Sequence, residues 1–256
     1  MKKGIILASF GTTHQDTRER TIDVLENRIT EEFPGVPFRR AFTSGVVIDR
    51  LKSNYGIEVK DLKGAMENLQ SEGVTDIYIQ PFLIIGGLEF EKILRAARDF
   101  MKKSSNTIVR VGTPLLGDDS DYRSIAGMLG SLGERPLVLM GHGSKHSADV
   151  SYDRLSEVFR KKGFDNIFLG SIEGSAGIDH VISSLDGSEA GSVTLKPFML
   201  VAGDHVKNDM ASDEEDSWKS ILEENGYKVH IDMIPLGEME KIQEMFLMKL
   251  KEVLIS

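Results

Sequence analysis

Ala8-Ser9-Phe10-Gly11-Thr12-Thr13-His14 and Met140-Gly141-His142-Gly143-Ser144-Lys145-His146 decide how this chain folds. Each follows a short apolar run, and their central glycines, Gly11 and Gly143, stand 132 residues apart in a chain of 256. A second pair repeats at a spacing of 116, Gln80-Pro81-Phe82-Leu83-Ile84-Ile85-Gly86-Gly87-Leu88-Glu89 against Lys196-Pro197-Phe198-Met199-Leu200-Val201-Ala202-Gly203-Asp204-His205. A looser third sets Phe42-Thr43-Ser44-Gly45 against Ile172-Glu173-Gly174-Ser175. The halves therefore read as copies of one another.

Working outward, short runs rich in β-branched residues end at glycine or polar residues and are followed by apolar residues at helical spacing. Strands are predicted over Gly4–Ser9, Phe38–Thr43, Asp76–Phe82 and Thr107–Gly112, then Pro136–Met140, Asn166–Ile172, Ser192–Met199 and Lys228–Ile234. Ile22, Leu25 and Ile29, or Leu155, Val158 and Phe159, mark amphipathic covering helices. Strands each followed by a crossover helix run parallel, with helices on both sheet faces. The fold class is α/β: two similar doubly wound parallel-sheet lobes related by internal duplication, with a cleft between them. The predicted division is residues 1–133 and 134–256, at Gly133-Glu134-Arg135-Pro136, the C-terminal helix being free to pack back on the first lobe.

Composition narrows the chemistry. Hydrophobic residues at 40% and charged residues at 28% describe a globular chain with a sizeable core. With no cysteine there is no disulfide framework, iron–sulfur cluster or thiol nucleophile, and any metal must use His, Asp or Glu. A net charge of -9 argues against a nucleic-acid partner. The apolar run after Lys2-Lys3 stops at Ser9, short of the roughly 7–15 residues of a signal sequence, and no stretch approaches the ~20 needed to cross a bilayer. The expectation is a cytoplasmic protein without a membrane partner.

In the second half three candidate metal ligands follow successive strands: His142, Glu173 and His205. Loops after parallel strands share one sheet edge, so two imidazoles and a carboxylate from distant positions converge there and leave coordination positions open. The paired positions in the first half are Phe10, Thr43 and Glu89, so only the second half has both imidazoles. A loop histidine is ordinarily solvated or hydrogen-bonded, and that reading stands for His14, His146, His180 and His230. Gly141-His142-Gly143 fails as a dinucleotide fingerprint because His146 occupies the third glycine's place. Ser212 and Glu215 around Asp213-Glu214-Glu215-Asp216 read as a capping box that opens a helix rather than as a metal relay. Glu89 is expected to face the cleft from the first lobe; the competing reading makes it a first-turn carboxylate of a helix over Glu91–Met101.

Ser9-Phe10-Gly11-Thr12, Arg40-Ala41-Phe42-Thr43-Ser44-Gly45, Met140-Gly141-His142-Gly143, Leu200-Val201-Ala202-Gly203-Asp204-His205 and Asn208-Asp209-Met210-Ala211-Ser212-Asp213 together resemble a known family. It is that of the sirohydrochlorin cobaltochelatases of the anaerobic cobalamin pathway, the CbiK type within the class II chelatase superfamily. The resemblance covers nearly the whole chain. It implies a lyase that inserts Co2+ into sirohydrochlorin, with the metal on His142, Glu173 and His205. Co2+ is then the substrate metal, Ni2+, Fe2+ or Zn2+ are ions the same site accepts, and no organic cofactor is expected. The implied partners are sirohydrochlorin or a related polycarboxylate tetrapyrrole and the divalent metal; a homo-oligomer is left open. His142, His205 and Glu89 are the catalytic candidates, one histidine also receiving a pyrrole proton. Ser9, Phe10, Gly11, Thr12, Thr43, Ser44 and Gly87 are the substrate-binding candidates: the Ser9–Thr13 turn leads into a helix amino terminus suited to carboxylates, and Gly87 lets backbone approach a flat ligand. A chelatase for Fe2+ or Ni2+, and a non-catalytic tetrapyrrole or metal carrier, are the alternatives.

Overall fold

The computed structural model describes residues 2–104, 106–186 and 191–255. Strands β1 (Lys3–Ser9), β2 (Phe38–Phe42), β3 (Asp76–Phe82) and β4 (Ile108–Val111) form a parallel sheet in the order β2-β1-β3-β4. Strands β5 (Leu137–Gly141), β6 (Ile167–Ser171), β7 (Ser192–Phe198) and β8 (Lys228–Ile231) form a second in the order β6-β5-β7-β8. The helices are α1 (Gln15–Arg20), α2 (Ile22–Glu32), α3 (Gly45–Tyr55), α4 (Leu62–Ser71), α5 (Leu88–Lys103), α6 (Asp119–Gly130), α7 (Val150–Lys161), α8 (Ile178–Leu185), α9 (Trp218–Glu224) and α10 (Glu240–Ile255). Among the described residues, no helix is long and apolar enough to cross a membrane.

The central strands explain the layering. In β1, Ile5, Ile6, Leu7 and Ala8 are all buried, so consecutive side chains on opposite faces both need cover. One face of the first sheet packs Ile6, Ile77 and Ile79 against Met66, Leu69 and Ile93 of α4 and α5. In the second, Val138, Met140 and Leu195 pack with Val181, Leu185, Trp218 and Leu222 of α8 and α9.

The duplication is visible bond by bond. Gly112 donates to Ile79 O at 2.8 Å and Leu115 to Leu83 O at 2.8 Å; at the same positions of the second sheet Asp232 donates to Leu195 O at 2.9 Å and Leu236 to Met199 O at 2.8 Å. Buried Gln80 on β3 donates to Thr113 O at 3.0 Å, and its counterpart Lys196 on β7 donates to Ile234 O at 2.6 Å and pairs with Asp232 at 2.7 Å. Strand β8 ends at Ile231, just before that Asp232, earlier than its apolar run predicts. The third sequence pairing shifts by one residue: Ser44 N–H meets Phe10 O and Glu173 N–H meets His142 O, so Ser44, not Thr43, is the counterpart of Glu173.

Two further expectations are corrected. The chain divides into residues 1–115 with 240–256, and residues 116–239, rather than at Gly133. Helix α6 packs on α7 within the second unit, where Gly130 abuts the Phe164 ring and Arg154 lies 4.4 Å from the Tyr122 ring centroid. The Gly133–Pro136 punctuation marks only the turn into β5; glycine and proline report local backbone, not which sheet a helix covers. Helix α10 in turn belongs to the first unit. The helix expected at Ser212 begins instead at Trp218, because Ser217 accepts from Ser220 N–H at 3.1 Å and the Trp218 side chain is buried, while Asp213 pairs with Lys219 across the preceding turns.

Phe246 of α10 is fully buried, its ring centroid 4.8 Å from that of Phe82. Phe246→Ala should cost about 3–5 kcal/mol in urea denaturation, whereas Lys251→Ala, which removes the partly exposed pair with Glu32, should cost no more than about 1 kcal/mol. Equal, small losses would show that α10 does not stabilise the first unit.

Candidate metal centre

At the carboxyl edge of the second sheet the ladder continues one step beyond the strands: Ile172 donates to Gly141 O at 3.1 Å and Glu173 to His142 O at 2.8 Å. Met140 and Gly141 are buried; His142, the next residue, is exposed. Both flanking glycines are required. A Cβ on Gly141 would lie 2.5 Å from the Tyr152 ring, and Gly143, at φ +74, would press a Cβ to 2.4 Å from Gly174 N. Burial pushes the Tyr152 phenol up to about 12, so it stays neutral and serves as a packing group for this turn rather than as a base.

His205 arrives from β7. The chain enters one turn of π-helix over Val206–Met210, a feature common at functional sites. Buried Val206 and Met210 anchor that turn in the core, while His205 and Asp209 remain partly exposed. The rings of His142 and His205 meet edge to face, centroids 4.8 Å apart and planes at 86°.

Hydrogen-bond partners assign both tautomers. His142 Nδ1 lies 2.9 Å from Gly143 O, and a carbonyl only accepts, so Nδ1 carries the proton. His205 Nδ1 lies 2.6 Å from the Asp209 carboxylate, with the same consequence. Each ring is left with Nε2 as its lone-pair nitrogen, and each is oriented from behind, as metal-binding imidazoles ordinarily are. Glu173 is brought to this edge by its backbone, and its side chain is exposed. Among the described residues no three His, Asp or Glu side chains are gathered into a metal cage; the two imidazoles meet, and the Glu173 carboxylate stands apart from them.

The first unit presents a different edge. Phe10 is 49% exposed directly after buried Ser9. Gly11, at φ +94, packs against the Phe42 ring, where a Cβ would lie 2.5 Å away. Thr12 accepts from His14 N–H at 3.1 Å and Ser44 caps α3 by accepting from Val47 N–H at 3.3 Å, so both hydroxyls already hold their own turns. Gly87 is the buried N-cap of α5, which places Glu89 in the first turn of that helix. One Glu89 oxygen accepts from Lys92 at 2.6 Å. The other, with Ser9 Oγ and Thr43 Oγ1, is buried without a hydrogen-bond partner among the described residues. Such atoms are costly unless a ligand or water satisfies them.

Two residues not singled out from sequence emerge. Asp209 was signalled by its spacing of four from His205; Asp149, which bridges the turns after β5 and β6, carried no sequence signal because its partners, the Ser144 and Ser175 N–H groups and the Ser175 hydroxyl, form no motif.

The family model described as cobalt chelatase (CbiK) matches residues 3–255. A sirohydrochlorin cobaltochelatase of Salmonella typhimurium is 35% identical over 259 residues, spanning 99% of this chain and 97% of its own. Sirohydrochlorin cobaltochelatase CbiKC of Nitratidesulfovibrio vulgaris is 35% identical over 233 residues, spanning 89% and 82%. Among solved structures, SirB from Bacillus subtilis with Fe3+ shares the fold at a TM-score of 0.69 and 13% identity, covering 99% of this chain and 96% of that one. With its whole length matched by the family model and by relatives at this identity, the chain belongs to the cobalt chelatase (CbiK) family.

Proposed function

We propose that this protein inserts Co2+ into sirohydrochlorin, with His142 and His205 holding the incoming ion through Nε2 and Glu173 as the third donor. The observation that carries this reading is the imidazole pair, edge to face at 4.8 Å, with both Nδ1 atoms already engaged. Relatives named sirohydrochlorin cobaltochelatase at 35% identity support the substrate and the metal. The ion is cargo, and the reaction needs no organic cofactor.

Insertion exchanges Co2+ for two pyrrole N–H protons, so the protein must loosen bound water, neutralise charge and accept protons. Two neutral imidazoles and one carboxylate partly offset the dication and leave positions open for ring nitrogens. Nitrogen donors alone favour Ni2+ and Cu2+ over Co2+ in the Irving–Williams order, so selectivity draws on geometry and supply. Glu89 is the proposed acceptor of a pyrrole proton: its unpartnered oxygen is buried, and a carboxylate there relays a proton as a general base. Ser9 and Thr43, whose buried hydroxyl oxygens also lack partners, are the proposed polar contacts to the macrocycle; Phe10 supplies an exposed aromatic face, and Gly11, Thr12, Ser44 and Gly87 shape the turns around them.

His142→Ala and His205→Ala should each lower insertion by more than about 100-fold, beyond the loss usual for supporting residues, with unchanged circular dichroism. Turnover with Co2+, Fe2+ and Ni2+ offered in turn identifies the metal; a spectral shift of sirohydrochlorin on binding without accelerated insertion would mark a carrier. Glu89→Gln, nearly isosteric, should lower turnover by about 10²-fold or more while Co2+ affinity is retained. Normal turnover in that variant would reduce Glu89 to a helix-start carboxylate.

A further inference from the structure

We infer that Asp149 is a positioning residue for the metal site, its carboxylate pinning the turn that carries His142 to the turn that carries Glu173. This rests on the assignment of those two residues as metal donors. Asp149 ends a short 3-10 turn, Ser147–Asp149, leading into α7, and is 8% exposed. One of its oxygens accepts from Ser144 N–H at 2.9 Å, two residues beyond His142. The other accepts from Ser175 N–H at 2.9 Å and from the Ser175 hydroxyl at 3.2 Å, two residues beyond Glu173. The direct bond from Glu173 N–H to His142 O closes a ring between the turns.

Chemistry makes a carboxylate specific here. All three groups it meets are donors, and only a side chain accepting on both oxygens satisfies both turns; an amide must turn its NH2 toward one of them. The packing is equally exacting, since a Cβ on Gly174 would lie 2.7 Å from each Asp149 oxygen.

The internal repeat separates this device from the needs of the fold. The first half builds the same turn, with His14 N–H donating to Thr12 Oγ1 as His146 N–H donates to Ser144 Oγ, and the same bonds across its strand ends. At the position 132 residues before Asp149 it has the uncharged Thr17, and it places Phe10 and Ser44 where the second half has His142 and Glu173. The duplicated turn thus forms without the buried carboxylate, which stands only in the half bearing the metal donors.

The test titrates Co2+ alone against Asp149→Asn, Ser175→Ala and His142→Ala, and measures KM for Co2+ and for sirohydrochlorin alongside Tm. Asp149→Asn should weaken Co2+ binding and raise KM for Co2+ by about 10- to 100-fold, leaving KM for sirohydrochlorin unchanged. Ser175→Ala, which removes one of the three donors and keeps the fold, should move the same two quantities less far. In a His142→Ala background Asp149→Asn should cost less than it does alone, because one of the two donors it positions is gone. Wild-type Co2+ affinity in both Asp149→Asn and Ser175→Ala, or a fall in Tm with both KM values unmoved, would overturn the inference; so would an Asp149→Asn chain that fails to fold beside a Ser175→Ala chain with normal affinity. If His142→Ala itself binds Co2+ normally, the donor assignment is what fails. If it binds weakly while Asp149→Asn does not, only the positioning role fails.

Discussion

Burial of both faces of the central strands is the constraint on which the rest depends. A parallel strand such as β5, with Val138, Leu139 and Met140 all fully buried, has no side chain to spare for chemistry. After β5 burial stops abruptly: Gly141 is buried against Tyr152 and His142 is exposed. The first sheet changes over in the same way between Ser9 and Phe10. The ladder bonds that run one residue past the strands carry the rigidity of the sheet into the turns, so the proposed donors sit on fixed backbone without occupying the core.

Duplication turned that constraint into two edges of different character. Hydrogen bonds to corresponding atoms hold both scaffolds, down to the donor on the third strand that clamps the loop after the fourth, Gln80 in one and Lys196 in the other. The fourth helices depart from simple repetition, since α6 follows the first sheet in sequence but packs in the second unit, and α10 follows the second but packs in the first. With backbone conserved between the halves, the edge residues are free to differ: imidazoles in the second, aromatic, hydroxyl and carboxylate groups in the first.

Much of this was legible in the sequence, for identifiable reasons. Strands were legible because a doubly covered strand is a continuous apolar run, and seven of the eight strands matched expectation to within a residue at both ends. The encounter of His142 and His205 followed from the repeat and from the topology of parallel strands. What escaped depended on long-range packing or on backbone partners. The cap at Ser217 rather than Ser212 was decided by Trp218 finding the core. The one-residue shift that pairs Ser44 with Glu173 was set by strand register, which motif similarity at Phe42–Gly45 did not encode. Asp149 escaped because the groups it accepts from lie on two separate turns, which sequence spacing does not bring together.

The geometry also bears on why a metal-inserting enzyme would leave its donor set loose. A structural zinc site closes four donors around the ion and contributes folding free energy by retaining it. A site whose ion is cargo must release it to a stronger nitrogen donor set within each turnover, so a closed cage would defeat the reaction. In the proposed site, two imidazoles fixed from behind at Nδ1 would define where the ion sits. As the proposed third donor, the exposed Glu173 carboxylate would add charge when the dication arrives. Imidazoles held on rigid backbone with coordination positions left open therefore suit transfer of an ion rather than its storage.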